Sequence, residues 1–257
     1  MRQPIQLFSR QAVLRHTLAV VLFLTGISAA AQHKKSSGPL SAIENADISA
    51  GIFGQFTSRI AATSQPVAQS TSDSSGALFS FHKSYHWWLG YDANYAYTSF
   101  SEYYTETYAG ECTSFPGTSQ PTICIPTTPA KATVPTSMHE FTGAYLVKSP
   151  ISLLGLRPYG EVGLGDLLFA PSVNSTEVTF PVSSTYGNFS QQVSAQNRIA
   201  GLYAIGVDAP LLTSHLGARF EYRNLWYKAP SFGADGLLNA NSVVVTQEPV
   251  ASLYFKF

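Results

Sequence analysis

Apolar and polar residues alternate with a period of two through most of this chain. The clearest stretch is Leu89–Thr98, where Leu89, Tyr91, Ala93, Tyr95 and Tyr97 alternate with Gly90, Asp92, Asn94, Ala96 and Thr98. A period of two over about ten residues is a strand, and that length crosses a bilayer obliquely. His215–Tyr227 repeats the pattern, with Leu216, Ala218, Phe220 and Tyr222 set against Gly217, Arg219, Glu221 and Arg223. In Val243–Phe257, Ala251, Leu253, Phe255 and Phe257 alternate with Ser252, Tyr254 and Lys256. Weaker segments at 48–56, 77–81, 138–148, 156–169 and 197–207 bring the expected total to eight strands.

The connections carry a second pattern. Short spacers (82–87, 149–155 and 208–214) alternate with long ones (58–76, 101–137, 170–196 and 228–242). Long loops without structure are awkward in a compact soluble domain. They suit a closed antiparallel up-and-down transmembrane barrel with short periplasmic turns and long extracellular loops. A soluble lipocalin-like barrel has the same period with its apolar face inward. Here that arrangement would bury a Tyr-rich face whose hydroxyls all need partners. Aromatic residues also bunch at strand ends, as in the two girdles of a membrane barrel. Tyr85, Trp87 and Trp88 mark the periplasmic end; Phe100, Tyr103, Tyr104, Trp226 and Tyr227 mark the outer end. Pro249 and Pro158 cannot donate to a ladder, so a bulge or a late strand start is expected beside Pro249.

Composition agrees with a surface in lipid. Charged residues make up 12% of the chain and aromatic residues 13%, against about 25% charged in an ordinary soluble domain. Residues 1–31 read as a cleaved signal peptide: Arg2, Arg10 and Arg15, then a short apolar run, then Ala29-Ala30-Ala31. The apolar run is shorter than the roughly 18–20 residues of a spanning helix. Residues 32–45 are expected to form a short periplasmic tail, and 46–257 the barrel domain. Without the three leader arginines the 15 basic residues fall to 12 against 15 acidic ones. That balance excludes nucleic acid as a partner class, since phosphate binding needs clustered Lys and Arg.

The closing segment Val250–Phe257 resembles the C-terminal targeting strand of bacterial outer-membrane proteins, which alternates apolar residues and ends in Phe. Together with the leader and eight strands, it makes the chain similar to the OmpA-type transmembrane domain and other small outer-membrane barrels. Gly217–Pro230 resembles the penultimate strand of that group. The resemblance implies an outer-membrane location, recognition of Leu253, Phe255 and Phe257 by the barrel-assembly machinery, and a monomer among outer-membrane lipids. It leaves the function open, because the scaffold hosts anchors, adhesins, small channels and a few lipid-modifying enzymes.

Candidate chemistry is sparse. Cys112 and Cys124 are the only cysteines, and an even count in an exported chain reads as a disulfide. Asp92, Glu140, Lys148, Arg157, Glu161, Arg198, Arg219, Glu221 and Arg223 fall on the face predicted to point into the lumen. An eight-stranded barrel is only wide enough for side chains to fill it, so these charges must pair. A polar plug is the expected result, with a narrow ion pore as the alternative. For catalysis, His82-Lys83-Ser84 has the His–Ser spacing of lipid A deacylases but falls at a periplasmic turn. His139 lies beside Glu140 without a Ser two positions on. Gly160, Gly163 and Gly165 do not match a dinucleotide fingerprint and are expected to make room for large neighbours. No cofactor or metal is expected, no external ligand is identified, and the chain reads as a surface or structural protein, not an enzyme.

Overall fold

Eight long strands account for the architecture: β1 (Ala46–Ser58), β2 (Ser74–Ser84), β3 (Leu89–Thr107), β4 (Pro129–Lys148), β5 (Arg157–Pro171), β6 (Gln196–Pro210), β7 (Leu216–Lys228) and β8 (Val243–Lys256). The computed structural model describes residues 45–58, 67–107, 112–113, 123–124, 129–172, 177–183, 187–211, 215–232 and 243–257. The expected leader and tail lie outside these residues. Each strand pairs antiparallel with the next, and β8 closes onto β1. Following paired residues around the wall gives the stagger. From Ile48 the path runs through Phe81, Ala93, Gly143, Leu164, Gly201, Trp226 and Val245 to Ser58. The circuit returns to β1 ten residues above its start, at 58 instead of 48. With ordinary strand spacing and rise, eight strands and this shear give a tilt of about 41°, inside the range of membrane barrels.

Outward and inward positions separate by chemistry. On β7, Leu216, Phe220, Tyr222 and Trp226 are exposed, while Gly217, Arg219, Glu221 and Arg223 are buried. At this tilt each residue climbs about 2.5 Å along the axis, so the ten residues from Leu216 to Trp226 span about 25 Å, the height of the apolar band of such barrels. Ile52, Phe79, Tyr145, Val162, Leu164, Ile199, Ile205 and Leu253 continue this belt around the wall.

Inward glycines admit aromatic rings. Tyr159 lies across Gly206 and Tyr254 across Gly217, each ring occupying the space a Cβ would take on its register partner. Phe53 does the same over Gly76. Gly163 and Gly165 serve differently. They let β5 approach β4 closely, since a Cβ at Gly163 would stand 2.6 Å from Ala144 Cα and one at Gly165 2.9 Å from the Phe141 carbonyl oxygen.

Several strand limits depart from the sequence expectation. β3 and β4 stay paired far above the belt, through Thr107 and Pro129, where a loop was expected from residue 101. β2 runs on to Ser84, so His82 is a strand residue, and the turn is confined to residues 85–88. Pro249 makes no bulge: Phe53 pairs with Val250 and Phe56 with Gln247 in one register, and only the pairs between are missing. Toward β7 the ladder is continuous through Tyr222 and Pro249. The missing N–H therefore faces β1.

Candidate functional site: the filled lumen

The interior is layered along the axis. At the turn end, where β1 begins and β8 ends, Arg219 organises the first layer. Its Nε donates to Asp208 Oδ1 at 2.8 Å, and its guanidinium lies 3.2 Å from Asp47 Oδ1. The guanidinium carbon sits 5.7 Å from the centre of the Tyr159 ring and 5.2 Å from that of Tyr254, within cation–π range. The two ring–glycine contacts hold those rings in place. His82 Nδ1 donates to Asp47 Oδ2 at 2.6 Å, and Lys148 Nζ stands 4.0 Å from Asp208 Oδ2.

The next layer centres on Arg223, whose side chain is fully buried. It pairs with Glu140, donates to Glu248 Oε2 at 3.1 Å and to the Thr142 hydroxyl at 3.1 Å, and approaches Glu221 Oε1 at 3.4 Å. The Tyr159 hydroxyl donates to Glu221 Oε2 at 3.1 Å, which links the two layers. A guanidinium satisfies several carboxylates at once because its five donors lie in one fixed fork.

Above the ions the lumen turns apolar. Phe100, Met138, Leu167, Phe169, Leu225 and Tyr227 are buried there. The segment following β7 then folds into the mouth instead of away from it: Ala229, Pro230, Ser231 and Phe232 are all buried, with Phe232 wholly so. Gln196 Oε1 accepts from the amides of Ser231 (2.8 Å) and Phe232 (3.1 Å), Tyr104 donates to the Pro230 carbonyl at 2.9 Å, and the Ser194 amide donates to that of Phe232 at 2.9 Å. Phe232 adopts a left-handed backbone (φ 51°), uncommon for a bulky residue, and these bonds hold it there. Gln69 Nε2 donates to Glu102 at 2.9 Å beside Tyr104, which makes the rim polar.

Of the charges assigned to the lumen from sequence, Asp92, Glu140, Glu161, Arg219, Glu221 and Arg223 are buried, and Lys148 and Arg198 are half-buried near its two ends. Arg157 is exposed at the turn end and is not in the network; it has the inward parity but sits at the very start of β5, where the wall no longer covers it. Asp47, Asp208 and Glu248 also belong to the network, as does His82, which the sequence placed at a turn, and Glu102 belongs to the rim. Phe100, Tyr104 and Tyr227, expected in the outer girdle, point inward into the apolar layer; Tyr103 and Trp226 are exposed.

The remaining candidates are placed as follows. His139 lies on the outer wall, where its Nδ1 shares a 2.9 Å hydrogen bond with the Tyr95 hydroxyl. Ser137 faces Tyr97 at 3.4 Å. Ser84 accepts from Lys148 at 3.4 Å, not from His82. Cys112–Thr113 and Ile123–Cys124 pair antiparallel with Cys112 opposite Cys124. Leu253, Phe255 and Phe257 face outward, and Phe255 packs edge-on against Phe257 at 5.5 Å. Among the described residues no cluster of His, Cys, Asp or Glu has the arrangement of a metal site.

A closed barrel of eight strands, apolar outside and ionic within, defines a small transmembrane β-barrel. No protein-family profile and no curated protein sequence matches the chain. Among solved structures it is similar to Neisserial surface protein A, at 12% identity and a TM-score of 0.43, over 83% of this chain and 98% of that one. It is also similar to OprG of Pseudomonas aeruginosa (11%, 0.46, 83% and 96%). A third similar structure is Ail, the attachment invasion locus protein of Yersinia pestis (10%, 0.41, 83% and 99%). The assignment rests on the barrel's own geometry and not on these likenesses.

Proposed function

We propose that this protein is a non-conducting, monomeric platform that holds its loop end outside the cell as a contact surface, with the turn end in the periplasm. The observation that carries this reading is the lumen. Two ionic layers built on Arg219 and Arg223 are followed by an apolar layer, and Phe232 lies in the mouth above them. A conducting path would have to break both layers and expel that ring. The strands that rise above the belt support the second half of the reading. The ladder from Ser99–Ser137 to Thr107–Pro129 projects a rigid hairpin beyond the lipid, a suitable base for attached loops. A disulfide between Cys112 and Cys124 would brace the tip of that region, because residues directly opposite on antiparallel strands lie about 4.5–5.5 Å apart, within disulfide reach. The outward Leu253, Phe255 and Phe257 fit recognition by the assembly machinery. Catalysis finds no support in His139, whose partner is a tyrosine and not a nucleophile or an acid.

Planar-bilayer recording of the refolded protein tests the proposal. Wild type should give no discrete openings, as should a variant with Phe232→Ala alone, because the ionic layers remain. Stable unitary currents through wild type would overturn the platform reading in favour of a narrow pore.

A further inference from the structure

The turn end differs from the loop end in its charge. Among the described residues, Asp47, Asp92 and Asp208 at the turn end are all buried in the lumen, whereas Lys83 is half-exposed on the wall and Arg157 and Lys256 are exposed at strand ends, where the wall no longer covers them. The exposed His86 and His215 stand among them. At the loop end the signs are mixed, with exposed Asp73 accompanying exposed Lys131 and Lys228. Burial has thus withdrawn these three carboxylates from the turn-end surface, while Arg157 and Lys256 remain exposed there.

The β4–β5 turn adds an apolar element at the same level. Ile151, Leu153 and Leu154 are exposed, Leu154 at 93%. The tip is a tight, doubly bonded turn: the amides of Leu153 and Leu156 each donate to the other's carbonyl, at 3.0 and 2.9 Å. Its central residues Leu154 (φ 53°) and Gly155 (φ 81°) are both left-handed. Glycine or asparagine suits the first of these positions; a leucine there is strained and presents its whole side chain outward. The turn is continuous with the lipid belt, since Tyr145 and Val147 just before it face outward on β4. It is also tied to the neighbouring turn, where the Lys148 amide donates to the Trp88 carbonyl at 2.8 Å. Trp87 and Trp88 are exposed there, and tryptophan prefers the membrane–water interface.

We propose that the turn end is a phospholipid-binding collar, in which the Ile151–Leu154 turn dips into the headgroup layer while Arg157 and Lys256 take the phosphates of anionic lipids. This rests on the membrane-barrel reading and adds to it a headgroup preference at one leaflet. Long basic side chains at such a boundary lay their stems on apolar surface and raise their charges to the headgroups. Each favours an anionic surface by about fivefold. A periplasmic protein seated on the same knuckle is the competing occupant, and it would give no headgroup preference in purified lipid.

The test uses Trp226→Phe protein, which leaves Trp87 and Trp88 as the remaining members of the chain's three tryptophans. It is folded into phosphatidylcholine vesicles, and closure is checked by faster gel migration before boiling. Failure at this step would count against the barrel itself, not the collar. Brominated phosphatidylglycerol or brominated phosphatidylcholine is then introduced at equal mole fraction. Indole quenching should show a severalfold association preference for the anionic lipid, and that preference should collapse in Arg157→Gln/Lys256→Gln. Equal quenching of the Trp226→Phe protein by the two lipids overturns the collar, and that comparison decides alone should the double variant not fold. A protein whose single tryptophan is placed by Leu154→Trp should also be quenched; a fully unquenched indole there would remove the turn from the membrane.

Discussion

Arg223 shows how a single side chain sets the interior. It stands among Glu140, Glu221 and Glu248 with no exposed surface, so its removal would leave several buried carboxylates without a cation. Losing one member of a buried ionic set costs about 3–5 kcal/mol, whereas replacing the set by neutral groups of similar size is often tolerated. Arg223→Met should therefore lower the urea-unfolding free energy by about that amount. Adding Glu140→Gln and Glu248→Gln should recover most of the loss, and if the triple variant is no more stable than the single one, the charges are not what Arg223 answers. At this scale the sequence was informative wherever parity was clean. Arg219, Glu221 and Arg223 read directly from the alternation of β7. Asp47 was hidden at the edge of a strand whose start was unclear, and Glu248 beside a proline that cast doubt on its strand. Glu102 lay in a stretch read as a loop. Arg157 had the right parity but lies beyond the cover of the wall, which parity does not encode.

β3 and β4 explain why strand limits were harder to read than strands. Within the belt their outward residues are apolar, as Tyr95, Tyr97 and Phe141 are, and their inward residues polar, as Asp92, Asn94, Glu140 and Thr142 are. Above Thr98 the chemistry inverts at most positions, Glu102, Tyr103 and Thr136 excepted. Ser99, Ser101, Thr133 and Ser137 now face outward, while Phe100, Tyr104, Ala132, Val134 and Met138 are buried. The period of two continues, but the solvent outside has changed from lipid to water, so the apolar face moves inward, as in a soluble barrel. Two opposite patterns joined end to end look like a strand that stops. Val134→Asp tests this account, because Val134 is fully buried in a part of β4 that a loop reading leaves in water. Lost burial together with an unsatisfied carboxyl should cost roughly 3–5 kcal/mol. Hydrogen exchange should accelerate over residues 99–107 and 129–137 while 89–97 stays protected. Unchanged exchange in the upper hairpin would mean that its inner face does not hold it together.

The whole molecule is one cylinder in two solvents, and its stability should respond to depth accordingly. The position of the lipid boundary follows from tilt and shear, which join the strands into one ladder, and from the level at which the outward residues change character. Ile205 is exposed on β6 and pairs with Tyr222, about midway between Leu216 and Trp226. Thr133 is equally an outward, exposed position of the wall, but it lies in the inverted part of β4. Arginine at the bilayer midplane costs about 2–4 kcal/mol, and near or beyond the interface about 0–1. Ile205→Arg should therefore lower the unfolding free energy in vesicles by the larger amount and Thr133→Arg by little, although β-propensity and side-chain size change in the same direction at both. The comparison is best made by urea titration in a single lipid, where an unchanged slope shows that the two variants expose the same surface on unfolding. Similar penalties at the two positions would mean that lipid reaches the upper hairpin, and the inversion of its pattern would then need a cause other than water. A cost at Thr133 alone would turn the cylinder around, with the short-turn half outside the bilayer.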